Sequence, residues 1–197
     1  MNRARNIRSV DDLNKVTNSP VVGMESYGDI QKHFSDVYGI SVLGFDNCDL
    51  FAVRATMAGL DDILVEFPDA ADKISTVKYV PQLKAMGDID RSGRVRIGFD
   101  GLQDYGTGVH EAVHALDYKR SKPDTNSFSA DIVSRARKEL GLRSNSKEYK
   151  NLAFMLTGDP VDAADPAEVF AYGIESAKGG ASNRLSDAIY RQLKGAH

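Results

Sequence analysis

Between Pro68 and Asp100 the apolar pattern changes from helical to extended, and after Asp100 it turns helical again and stays so. Thr76-Val-Lys-Tyr-Val80 and Gln82-Leu-Lys-Ala-Met86 read as strands on either side of Pro81, and Arg94-Val-Arg-Ile-Gly-Phe99 alternates polar with apolar. The intervening Asp88-Ile-Asp-Arg-Ser-Gly93 has turn chemistry, which predicts a hairpin. Upstream, Ile30, Phe34, Val37 and Tyr38 share one face of a helix over 27–38, with His33 on its flank and Gly39 as its stop. Ile40–Phe45 reads as a short strand. Asp49 caps a helix running through Val65, with Leu50, Val53, Met57, Leu60 and Leu64 inward and Pro68 beyond its end. Downstream, helices are predicted at 104–119, 127–140, 146–156, 166–178 and 183–193; the second is carried by Phe128, Ile132, Ala136 and Leu140 and closed by Gly141. A helix and mixed strands followed by helices is the α+β order, with a mainly helical C-terminal half. The expected organisation is a mainly helical segment, 1–70, packed on a core of 71–197, together one compact domain.

With 197 residues, 42% hydrophobic and 27% charged, the chain can bury a core. Its net charge of -3 and lack of tryptophan argue against a nucleic-acid binder, and no basic stripe interleaves with aromatics. Arg3, Arg5 and Arg8 read as a solvated terminus. No run of about 18 apolar residues exists to span a membrane, and no apolar stretch follows the basic start as in a signal peptide, so the cytoplasm is the default location. The single cysteine, Cys48, excludes an intramolecular disulfide and any multi-cysteine metal site. Any metal has to be held by carboxylates and by the four histidines, His33, His110, His114 and His197.

Two of those four fall in His110-Glu-Ala-Val-His114, an HExxH sequence on a predicted helix. Residues i and i+4 stand one above the other, about 6 Å apart, so both imidazoles can reach one ion with Glu111 beside them. Imidazole nitrogens suit zinc, and a catalytic zinc takes three protein ligands and leaves a fourth position to water. Glu111 would then take a proton from that water and pass it to a leaving amine. Val109, Ala112, Val113 and Leu116 form the apolar side of the same helix. Asp117, one turn past His114, either fixes a ligand tautomer or simply faces solvent.

No further internal histidine follows, which argues against the three-histidine pattern HExxHxxGxxH. The best carboxylates for a third ligand lie in Asp165-Pro-Ala-Glu168-Val-Phe-Ala-Tyr172-Gly-Ile-Glu175. Glu168 is the first candidate and also fits the far half of a capping box begun by Asp165; Glu175, two turns on, is the reserve.

His110-Glu-Ala-Val-His114-Ala-Leu-Asp117 followed by Pro166-Ala-Glu168-Val-Phe170-Ala171 resembles the zincin metallopeptidases of the gluzincin type. The likeness is closest to a compact group that includes the catalytic domain of anthrax lethal factor and small zincin-like proteins of phages and mobile elements. It covers roughly 80–180. The resemblance implies a zincin-like fold in which His110, His114 and Glu168 bind Zn2+ and Glu111 is the general base. It also implies an antiparallel edge strand beside the active-site helix that pairs with a substrate backbone, and Arg94–Phe99 is in the place for it. A tyrosine near the zinc would stabilise the oxyanion. Tyr172 is nominated, with Tyr105 and Tyr118 as rivals. Val113 stands where many members carry glycine.

The expected activity is zinc-dependent cleavage of a protein or peptide substrate, with Glu111 activating a zinc-bound water. The alternative is a zincin-fold binding or assembly module of a phage or mobile element that holds zinc without turnover. An effector protease acting in another cell is a weaker third reading.

Overall fold

The structure, a computed structural model, describes residues 7–196; Arg3, Arg5 and His197 lie outside the described residues. It is an α+β fold with a small four-stranded mixed sheet, and no helix among the described residues is long and apolar enough to cross a membrane. The described residues divide into two compact units, 7–119 and 120–196.

The first unit holds the sheet. In chain order it contains α1 (Val10–Leu13), α2 (Tyr27–Tyr38), β1 (Ser41–Leu43), α3 (Leu50–Glu66), β2 (Thr76–Tyr79), β3 (Gly87–Ile89), β4 (Arg94–Ile97) and α4 (Tyr105–Arg120). Ser26 caps α2 by accepting the Asp29 N–H, and Gly39 ends it in the left-handed region at φ 71°. Ile30 and Phe34 are buried as the periodicity requires, but Val37 is exposed and only Tyr38 of that pair turns inward. Asp49 caps α3 by accepting the Ala52 N–H, and Pro68 begins a 3-10 turn just past its end.

Strand order is β1-β2-β4-β3, with β1, β2 and β4 parallel and β3 antiparallel to β4. Two expectations are corrected here. The segment 82–86 is not a strand, because after Pro81 the chain turns and the Leu83 N–H bonds the Val80 carbonyl. Arg94–Ile97 is not the edge strand either. Its Val95 and Ile97 are buried and both of its sides are paired, so the antiparallel edge is β3. The hairpin turn is the tighter Asp90–Gly93. The Asp90 carboxylate accepts from the Ser92 hydroxyl and from Arg94, which hold it well below the usual carboxylate range.

Within this unit α3 is buried nearly all round, and its Asp61 is fully buried. The Asp61 carboxylate accepts from the Ser19 hydroxyl (2.6 Å) and the Tyr38 hydroxyl (2.7 Å), and His33 Nε2 lies 2.7 Å from it. A buried carboxylate is tolerated only when paired or hydrogen-bonded, and these three groups tie α2 and the Pro20–Gly23 turn to α3.

The second unit contains α5 (Ser127–Glu139), α6 (Lys147–Thr157), α7 (Pro166–Lys178) and α8 (Arg184–Lys194), each within about a residue of its predicted bounds. Its core is formed by Ile132, Val133, Ala136, Phe170, Ile174, Leu185, Ile189 and Leu193. Gly141 follows α5 in the left-handed region at φ 67°, which stops the helix as its position predicts. Pro166 opens α7 and Asp165 caps it, its carboxylate accepting the Ala167 N–H at 2.8 Å.

Candidate metal centre

The helix that carries His110 and His114 is seated by two glycines. A Cβ added to Gly108 would collide with the Thr56 carbonyl oxygen, and one added to Gly59 with the Tyr105 carbonyl oxygen. Side chains at either position would hold the α3 and α4 backbones apart, so their bareness lets α4 lie directly on α3. The Tyr105 hydroxyl donates to Asp62 at 2.6 Å and fixes the first turn of α4 to the same helix. Val109, Ala112, Val113 and Leu116 are all fully buried, as expected of the apolar side.

One turn of α4 then presents two imidazoles together. His110 Nε2 and His114 Nε2 are 3.0 Å apart, with ring centroids at 4.7 Å and planes at 72°. Two nitrogens at the ordinary zinc distance in tetrahedral geometry stand about 3.3 Å apart, so this spacing fits two ligands of one ion. It equally suits a hydrogen bond in which one neutral ring donates to the other. His114 is 8% exposed and Glu111 only 4%, so neither sits on a solvated surface. The Tyr118 ring stacks on His114 at 6.4 Å, and the Arg91 guanidinium lies 4.7 Å over the other partner in that stack, Tyr118. Asp117 is fully buried, which removes the solvent-facing alternative for it.

Among the described residues one group of side chains has the composition and spacing of a metal site. A ligand atom from each of His110, His114 and Glu168 lies within 4.8 Å of the other two. Glu175 is not part of it. Two imidazoles and a carboxylate form an N/N/O donor set that suits zinc. Tyr172 is half-buried, one turn beyond Glu168 on α7. Tyr105 is a core tyrosine whose hydroxyl is engaged by Asp62.

Sequence reasoning missed Gly87. The residue opens β3, and its Cα faces Thr107 and Glu111 on α4. It fell between a predicted strand and a predicted turn, and a single glycine there carries no periodic signal.

Compared with protein-family models, with curated proteins and with solved structures, the chain matches none of them.

Proposed function

We propose that this protein is a zinc-dependent endopeptidase of the gluzincin type. The observation that carries the reading is the grouping of His110, His114 and Glu168 ligand atoms within 4.8 Å, with the buried Glu111 on the same turn as the two histidines. In this reading His110, His114 and Glu168 hold Zn2+. Zinc, when bound, supplies a Lewis acid that polarises a carbonyl and makes nearby water nucleophilic near neutral pH.

The remaining roles belong to the chain. Glu111 takes the proton of the attacking water and delivers it to the departing amine, the two duties of a general base and acid. Its burial keeps bulk water from solvating the carboxylate, which strengthens its interaction with the reacting atoms. The antiparallel edge strand β3, whose Gly87 lies against Glu111, is where an extended peptide substrate would align. Tyr172 is proposed as the oxyanion donor.

The test is elemental analysis of the purified full chain together with cleavage of a peptide library. The expected result is one zinc per chain, library cleavage by the wild type, and none by Glu111→Gln, which should still bind zinc and keep its melting temperature. Zinc binding with no cleavage by the wild type would overturn the peptidase reading in favour of a binding module. Full activity in Glu111→Gln would remove Glu111 from its role.

A further inference from the structure

Gly87 is held to a backbone path that leaves no room for a side chain, and the space is taken by the Glu111 carboxylate. A Cβ at position 87 would stand 2.8 Å from Glu111 Oε1, 3.0 Å from Glu111 Cγ and 3.0 Å from the Thr107 methyl. Gly87 has no left-handed backbone angle, so glycine is required there for space and not for conformation.

Neither wall of this contact is free to retreat. Thr107 is fixed because its hydroxyl donates to the Asp104 carboxylate at 3.0 Å, while the same carboxylate accepts the Gly106 N–H at 3.0 Å. Behind β3, the Gly98 N–H bonds the Met86 carbonyl at 2.8 Å. A Cβ at Gly101 would collide with that same carbonyl oxygen and lie 3.0 Å from the Thr107 methyl. The start of β3 is therefore clamped between the turn at 98–101 and α4. Of the three atoms in the contact, the one at the far end of a flexible side chain is Glu111 Oε1.

We propose that Gly87 is a positioning residue for Glu111: its bare Cα is the surface on which the carboxylate rests, and it sets the distance between that carboxylate and the β3 edge. The inference deepens the peptidase reading and rests on it for its catalytic meaning. A methyl group at 87 presses first on the carboxylate: the three atoms nearest to it belong to Glu111 and Thr107, and none to an imidazole. Displacement of a catalytic group by about 1 Å costs on the order of 100-fold in rate.

The experiment is a double-mutant cycle on the full chain. Gly87→Ala is expected to keep its zinc, leave KM within about twofold and lower kcat by about 100-fold. In a Glu111→Asp background, which removes the 2.8 Å contact with Oε1 but keeps Cγ, the added methyl should cost less in kcat than it does beside Glu111. A merely structural role for Gly87 would show the same loss in both backgrounds. Thermal melting of the zinc-free protein gives a readout independent of turnover. Gly87→Ala should lower the melting temperature of the wild type and lower it less in Glu111→Ala, where only the Thr107 methyl contact remains; if Gly87→Ala does not fold, recovery of folding in Gly87→Ala/Glu111→Ala serves the same purpose. Equal losses in both backgrounds would overturn the proposal. Absence of peptide cleavage by the wild type, with the melting coupling present, would overturn the peptidase reading and leave the Gly87–Glu111 contact standing.

Discussion

Gly108 on α4 lies against the carbonyl oxygen of Thr56 on α3, and any side chain at 108 would collide with it. The obstruction is main chain of a buried helix, which cannot swing aside as a side-chain tip does. Gly108→Ala is therefore expected to force α4 off α3. Overpacking of this kind costs about 1–3 kcal/mol, which for a chain of this size lowers the melting temperature by about 2–4 °C per kcal/mol. Alanine would otherwise favour the helix by about 1 kcal/mol, so a rise in melting temperature would refute the crossing.

The proposed zinc site makes a separate prediction. His114→Ala and Glu168→Ala should each weaken zinc binding by more than about 100-fold, because even partners outside the ligand set commonly cost 10–100-fold. Competition with a chromogenic chelator measures this directly. Glu175→Ala, outside the ligand group, should leave affinity unchanged. Zinc at about 100 times its Kd should stabilise the wild type by about 2.7 kcal/mol and neither ligand variant.

Asp61→Asn tests the network beneath α3. The amide keeps the shape but loses the negative charge that the Ser19 and Tyr38 hydroxyls and His33 converge on. Hydrogen bonds to charged groups contribute about 1.5–3 kcal/mol each, and the asparagine NH2 adds a donor where donors already face inward. Denaturant unfolding at neutral pH should show a loss of at least about 2 kcal/mol. A variant as stable as the wild type would mean that the network does not hold α2 to α3.

The same network gives an alkaline signature. Burial raises the Tyr38 phenol above its ordinary value, and its hydrogen bond to Asp61 and the charges of Asp61 and Asp62 raise it further. On unfolding the phenol returns to about 10. The stability it contributes is complete below that pH and is lost as pH rises toward the higher folded value, since the unfolded chain gives up the proton first. Unfolding free energy measured from pH 9 to 11 should fall less steeply in Tyr38→Phe than in the wild type.

Helix bounds were legible because their punctuation is local. Gly39 closes 27–38, Asp49 opens the helix that begins at Leu50, and Asp165-Pro166 opens 166–178, each at or next to the end of the helix it delimits. The pairing of imidazoles on α4 was legible for the same reason, a spacing of four on a helix. The edge strand was not. Gly87-Asp-Ile89 has the composition of a turn, and it becomes a strand only because Arg94–Ile97, already paired to β2, offers it a partner. Asp61 was equally hidden. An acid on an apolar helix is ordinarily a solvent-facing residue, and the groups that make its burial tolerable come from positions 19, 33 and 38. The roles of Gly59 and Gly108 were invisible because glycine inside a helix reads as a weakness, and close approach of two helices has no sequence period.

The strand order also sets a sequence of events in time. The β3–β4 pair closes over the four-residue Asp90–Gly93 turn, and such hairpins form in about 1–10 μs. The β1–β2 pair is parallel and has to wait for the α3 crossover to close a much longer loop, a slower and entropically costlier step. Only after that closure is α3 in place to receive Gly108. Refolding is then expected to recover the hairpin early and the seating of α4 on α3 late, so burial of the His110–His114 turn should lag behind most of the secondary structure.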